Sequence, residues 1–119
     1  MEIKKVGVVG CGLMGSGIAQ VCAEAGYETV VREINQELLD RGIGSIEANW
    51  KKATAKGKMS QEAVEAARAR LKGTVRMEDF AGCDLVIEAV VERMELKKEV
   101  FAELDRIVPE HAVLATNTS

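Results

Sequence analysis

The run Gly10-Cys11-Gly12-Leu13-Met14-Gly15 closes an apolar stretch, Val6 to Val9, and opens a helical pattern. Glycines at this spacing let a chain turn tightly out of a strand, bring its amides close to a ligand, and pack the next helix against that strand. The ligand such a turn suits is a phosphate, because amides at a helix N-terminus point outward with partial positive charge. Glu33 lies eighteen residues past Gly15, at the end of the next apolar run. A carboxylate there accepts hydrogen bonds from ribose hydroxyls. Together these residues describe a dinucleotide site, with pyrophosphate over Gly10, Gly12, Leu13, Met14 and Gly15 and an adenosine ribose on Glu33. Glu33 would repel a 2′-phosphate, so NAD(H) is expected in preference to NADP(H). Arg32 could accommodate that phosphate, but strand alternation puts it on the opposite face from Glu33. A turn that serves only helix–strand packing, with Glu33 an exposed acid at a strand end, is the alternative these residues leave open.

The other reactive side chains are few. His111 is the single histidine, and Cys11, Cys22 and Cys83 have neither metal nor redox spacing. The cysteines therefore read as reduced, mostly buried residues of a cytoplasmic protein, and no metal site is expected. A net charge of −3, with acids spread along the chain, gives no support to nucleic-acid binding. No apolar run approaches a membrane span, and with a first strand expected to start by Ile3 no targeting segment is expected, so the expected compartment is the cytoplasm, or an organelle matrix if a presequence has been removed.

The elements that hold these residues follow from apolar spacing. Ile3, Val6, Val8 and Val9 predict a buried strand, and Met14, Ile18, Val21, Cys22 and Ala25 the buried stripe of a helix that Gly26 ends. "YETVVREI" predicts a second strand. Leu39, Ile43, Ile46, Trp50 and Ala53 mark a long helix reaching about Lys56. Ser60 caps a further helix, with Glu62 in its first turn and Val64, Ala67 and Leu71 as its stripe, ending near Gly73. "GTVR" is expected as a short edge strand, "CDLVIEAVVE" as a central one, Leu96 to Ile107 as a helix ended by Pro109, and "AVLATN" as a last strand. Strands alternating with helices predict one α/β domain over residues 1–119. Its fold class is a Rossmann-type doubly wound parallel sheet, with a helical-hairpin arm inserted after the second strand at about residues 35–72.

Four stretches go beyond a generic dinucleotide turn: Gly10 to Gln20, the hairpin after "VVREIN", "DLVIEAVVERMELKKEVFAELD", and "ATNTS". In this order they resemble the NAD-binding domain of the L-3-hydroxyacyl-CoA dehydrogenases, bacterial 3-hydroxybutyryl-CoA dehydrogenases included, over essentially the whole chain. The 3-hydroxyisobutyrate dehydrogenases start similarly but lack the hairpin and the closing motif. The resemblance implies hydride transfer between NAD and C3 of a 3-hydroxyacyl-CoA, giving the 3-ketoacyl thioester.

Carried over by residue, the resemblance implies that Ala89, Val90 and Glu92 line the cofactor, with Lys97 nearby on the next helix. Asn117 would stand near the nicotinamide ribose, and Ser119 would hydrogen-bond the substrate's C3 oxygen. Asn49 and Lys56, with Lys52 and Lys58, would meet coenzyme A from the arm. The family's general base is a histidine that follows the "ATNTS" motif, whereas His111 precedes it. The resemblance thus implies that the catalytic histidine and a C-terminal helical dimerisation domain lie outside this chain. It also implies that these residues alone are inactive and that the full-length protein is a homodimer. Read without the resemblance, Glu92 and Lys97 could be charges at a solvated helix start, Asn117 and Ser119 loop residues, and the arm lysines a solvated face. A stand-alone NAD-binding module or sensor, and a relative acting on a non-CoA hydroxy acid, also remain open.

Overall fold

The computed structural model describes residues 3–10, 12–89, 103, 106–107 and 113–116. Among the described residues there are five parallel strands: β1 (Lys5–Val9), β2 (Glu28–Arg32), β3 (Leu71–Thr74), β4 (Leu85–Glu88) and β5 (Val113–Thr116). Their order is β3-β2-β1-β4-β5, with β1 in the centre. The chain winds outward from β1 through β2 to β3, then returns past β1 to β4 and β5. This is the Rossmann order, with its switch point between β1 and β4. Gly10 and Ala89 follow those two strands, and the Ala89 amide donates to the Val9 carbonyl at 2.8 Å.

Alternation along the strands builds two cores, as a parallel sheet covered on both faces requires. Val6, Val8 and Val31 pack under the helices α1 (Leu13–Glu24), α2 (Gln36–Ala55) and α3 (Gln61–Arg70), against Ala19, Ile46, Trp50 and Val64. On the other face Val9, Val30 and Val86 meet Met77, Phe80 and Cys83, with Ile107 packed against them. Met77–Phe80 is a 3-10 turn the apolar spacing does not announce. Phe80 packs so closely on β1 that a Cβ on Gly7 would lie 2.6 Å from its ring. Cys83 is fully buried here, and burial pushes its thiol up to about 11. Iodoacetamide at pH 8 is therefore expected to label Cys83 only after unfolding; labelling of the native chain at that position, read by mass spectrometry, would contradict this packing.

Two expectations need correction. The buried stripe of α1 is not the one its large apolar residues suggest. Met14 and Val21 are 53% and 63% exposed, and Ala25 is exposed too. Gly15, Ser16, Ala19 and Ala23 face the sheet instead, with Ile18 and Cys22 half-buried at the margin. The helix lies so close to β1 that only small side chains fit between them. The edge strand also starts earlier than "GTVR": α3 ends at Arg70, and the chain passes directly into β3 at Leu71. Leu71 is extended because its register opposite Thr29 of β2 outweighs its place in the helical stripe.

The hairpin follows its sequence closely. Asn35 caps α2 by accepting from the Leu38 amide at 2.9 Å, and Ser60 caps α3 by accepting from the Ala63 amide at 3.1 Å. The long helix buries Leu39, Ile46 and Trp50, and the Trp50 indole N–H donates to Glu24 of α1 at 2.7 Å. Asn35→Ala is expected to cost about 1 kcal/mol, the usual worth of an N-cap. Thermal melting should register a drop of about 4 °C; an unchanged midpoint would show that this cap contributes nothing.

Candidate functional site

The three glycines of the turn are required for three different reasons. Gly10 has φ +100°, a conformation that L side chains rarely adopt, and its amide donates to the Arg32 carbonyl at 2.8 Å. Gly15 is a packing requirement, since a Cβ there would lie 1.6 Å from the Gly10 carbonyl oxygen. Gly12 is required by nothing among the described residues. Its φ of −70° suits any residue, and a Cβ added to it would meet no described atom within 4 Å. The space beside Gly12 is what a bound pyrophosphate would fill.

The helix behind that space is prepared for an anion. The first helical hydrogen bond runs from the Ser16 amide to the Gly12 carbonyl at 2.8 Å, so the Leu13, Met14 and Gly15 amides precede the helical ladder. No side chain caps this end and no acid lies in its first turn. Its positive end faces the open space beside Gly12. The Ser16 hydroxyl donates to the same Gly12 carbonyl at 2.8 Å and helps fix the turn.

A cleft of about 310 Å³ opens from the turn. Gly12 and Ser16 line it from α1, and Glu33 from the end of β2. Leu38, Arg41, Gly42 and Ser45 line it from α2. Gly12 and Glu33, paired by sequence reasoning, thus meet in one cavity. Glu33 is half-buried; its amide donates to the Thr74 carbonyl at 3.1 Å, and its carboxylate accepts from the Ile34 amide at 2.7 Å. The end of β3 beneath it is knitted by Thr74, whose hydroxyl donates to Asp79 and accepts from the Arg76 amide. That bond holds the Asp79 carboxyl below its usual range. Arg32 lies on the other face, as alternation predicts, with its Nε donating to the Val75 carbonyl at 3.3 Å.

Ser16, Leu38, Arg41 and Ser45 were not picked out by motif. Their signal is a second face of the long helix: positions 38, 41, 42 and 45 recur at helical spacing, and Asn49 continues the series. Asn49 donates to Gln20 of α1 at 2.9 Å, and Gln20 in turn donates to Glu24 at 2.9 Å. Lys56 is the exposed C-cap of α2, with Lys52 and Lys58 exposed beside it. Met14 is exposed at the start of α1, and Ala89 is half-buried, its Cβ 3.7 Å from where a Cβ on Gly15 would stand. Cys11, Val90, Glu92, Lys97, His111, Asn117 and Ser119 lie outside the described residues. Among the described residues no group of acids, cysteines or histidines could hold a metal, and no helix is long and apolar enough to cross a membrane.

Residues 5–119 match the family described as the 3-hydroxyacyl-CoA dehydrogenase NAD-binding domain. A probable 3-hydroxybutyryl-CoA dehydrogenase of Deinococcus radiodurans is 47% identical over 115 residues, which are 97% of this chain and 41% of that protein. A peroxisomal fatty acid beta-oxidation multifunctional protein of Arabidopsis thaliana is 45% identical over 118 residues, 99% of this chain and 16% of that protein. The crystal structure of (S)-3-hydroxybutyryl-CoA dehydrogenase from Ralstonia eutropha superposes with a TM-score of 0.95 at 36% identity, covering 99% of this chain and 42% of that one. The chain therefore spans less than half the length of these relatives. With the Rossmann strand order, the glycine turn and the inserted hairpin in place, the chain belongs to the 3-hydroxyacyl-CoA dehydrogenase family, as its NAD-binding domain.

Proposed function

We propose that the protein carrying this domain is an NAD-dependent 3-hydroxyacyl-CoA dehydrogenase. It would oxidise L-3-hydroxyacyl-CoA, 3-hydroxybutyryl-CoA in particular, to the 3-ketoacyl thioester in fatty acid or butanoate metabolism. The observation that carries this reading is Gly12, a glycine that no described residue requires, beside a carboxylate in the cleft of a domain from this family. NAD, when bound, supplies the hydride acceptor for C3.

The chain's own part is to bind and orient. Gly10, Gly12, Leu13, Met14 and Gly15 cradle the pyrophosphate, Gly10 by shaping the turn while its own amide stays on the Arg32 carbonyl, and Glu33 takes the adenosine ribose. Ala89, Val90, Glu92, Lys97 and Asn117 carry the rest of the cofactor contacts, and Ser119 orients the C3 oxygen. Asn49 and Lys56 meet coenzyme A, whose phosphates suit a lysine; Asn49 must then exchange its bond to Gln20 for the ligand or share it. A cytoplasmic location accords with the free thiols of Cys22 and Cys83. The proposal extends to a homodimer of the intact protein.

Hydride departure from C3 needs a base for the hydroxyl proton. His111 is the single histidine of the chain, and in sequence it precedes β5 rather than following its carboxyl end. These residues by themselves are thus expected to bind NADH without turning over substrate. In the intact protein, NADH consumption with acetoacetyl-CoA, compared with free acetoacetate, tests the proposal. Oxidation of NADH with the thioester and not the free acid is the expected result. Turnover of the free acid alone would favour a non-CoA hydroxy acid enzyme, and NADH binding with neither turnover would favour a sensor; both would overturn it.

A further inference from the structure

The cleft beside the glycine turn holds two opposite charges, and only one of them fits a dinucleotide whose adenosine ribose is unphosphorylated. Glu33 is the acid. Arg41, one turn and a half into α2, is the cation among the described residues lining the same cavity. Arg32, adjacent to Glu33 in sequence, is on the opposite face of the sheet and donates to the Val75 carbonyl. Arg41 has no such anchor. Its recorded partner is Glu37, one turn back on α2, at 3.4 Å, with both side chains more than 70% exposed. Water screens such a pair heavily, so releasing the guanidinium toward a stronger anion costs little.

We propose that Glu33 and Arg41 set cofactor choice as an opposed pair: Glu33 binds the ribose hydroxyls and rejects a 2′-phosphate, while Arg41 tolerates that phosphate. This rests on the adenosine ribose lying at Glu33, as argued above. A phosphomonoester carries close to two negative charges at neutral pH. A carboxylate beside it is repulsive, whereas a guanidinium can meet two of its oxygens at once. Ser45, on the next turn of α2 and lining the same cavity, offers a hydroxyl to a third oxygen. On this reading NADP(H) is rejected because the acid takes the ribose hydroxyls, and not because the cleft lacks a cation. Removing the acid alone should therefore open the site to NADP(H).

Titration of the chain with NADH and with NADPH, followed by nicotinamide fluorescence, tests this directly. Glu33→Ser is expected to weaken NADH and to strengthen NADPH binding by about tenfold, the worth of one good charge-assisted contact. Adding Arg41→Ala to Glu33→Ser should remove that gain in NADPH affinity while changing the NADH affinity of the Glu33→Ser chain much less. Adding Arg32→Ala instead should leave the gain in place. A Glu33→Ser chain that loses NADH affinity and gains none for NADPH would overturn the role of Arg41 with the ribose still at Glu33. A gain that survives Arg41→Ala, or that vanishes with Arg32→Ala, would assign the phosphate to another cation. If Glu33→Ser leaves NADH affinity unchanged, the ribose is elsewhere and the opposed pair falls with it. Circular dichroism of each variant separates these outcomes from misfolding.

Discussion

A chain carrying Gly12→Val is expected to fold as the wild type does and to lose NADH. The argument rests on an asymmetry between what the fold needs at this position and what the ligand needs. The backbone at Gly12 has φ −70° and ψ −167°, an extended conformation open to valine, and among the described residues no atom stands within 4 Å of the added Cβ. The fold therefore loses only the slight advantage of glycine as an N-cap, about 1 kcal/mol or less. A pyrophosphate seated on the Leu13, Met14 and Gly15 amides would occupy that same open space. Its exclusion should weaken binding at least about a hundredfold, roughly 2.7 kcal/mol. Retained NADH binding would mean the open space is not the pyrophosphate site. An unfolded variant would instead favour the reading in which the turn serves packing alone.

Gly15→Ala should do the reverse and damage the fold first. The added methyl would stand 1.6 Å from the Gly10 carbonyl oxygen and 2.7 Å from its carbon, both backbone atoms that cannot rotate away. Alanine gains about 1 kcal/mol over glycine in helix propensity. That gain is outweighed, because α1 must shift off β1 and open the small-residue seam of Ser16, Ala19 and Ala23. Overpacking of this kind costs about 3 kcal/mol, a fall in melting temperature on the order of 10 °C. The turn moves with the helix, so NADH binding should fall as well. A Gly15→Ala chain that melts like the wild type would show that the close approach of helix and strand is not needed for stability.

The contrast between these two glycines marks what was legible in the sequence. The motif announces three glycines with three duties, and the tight turn at Gly10 and the close packing at Gly15 fall where the motif puts them. The long helix and the Ser60 cap of α3 were also legible, because Ser60 and the stripe of Leu39, Ile46 and Trp50 express local spacing. The burial of α1 was not. Hydrophobic periodicity favours Met14 and Val21 over alanine and glycine, whereas a helix lying this close to a strand selects for small size. Leu71 was likewise misassigned, since apolar spacing continues through it while sheet register ends the helix before it. The second half of the cleft went unnoticed for another reason. Leu38, Arg41 and Ser45 form no motif, and only the docking of α2 beside α1 brings them to Gly12 and Glu33. Contacts that depend on the angle between two helices leave little trace in the spacing of either one.

The central claim is that one NAD(H) molecule lies across the glycine turn with its adenosine ribose at Glu33. Amide chemical-shift mapping of the 119-residue chain during an NADH titration tests it most directly. The account predicts saturable shifts that are largest at Gly10, Gly12 to Ser16, Glu33, Ile34 and Ala89, with the hairpin end at Lys58 to Gln61 unmoved. Shifts concentrated on that hairpin end, or none at saturating NADH in a folded chain, would contradict it.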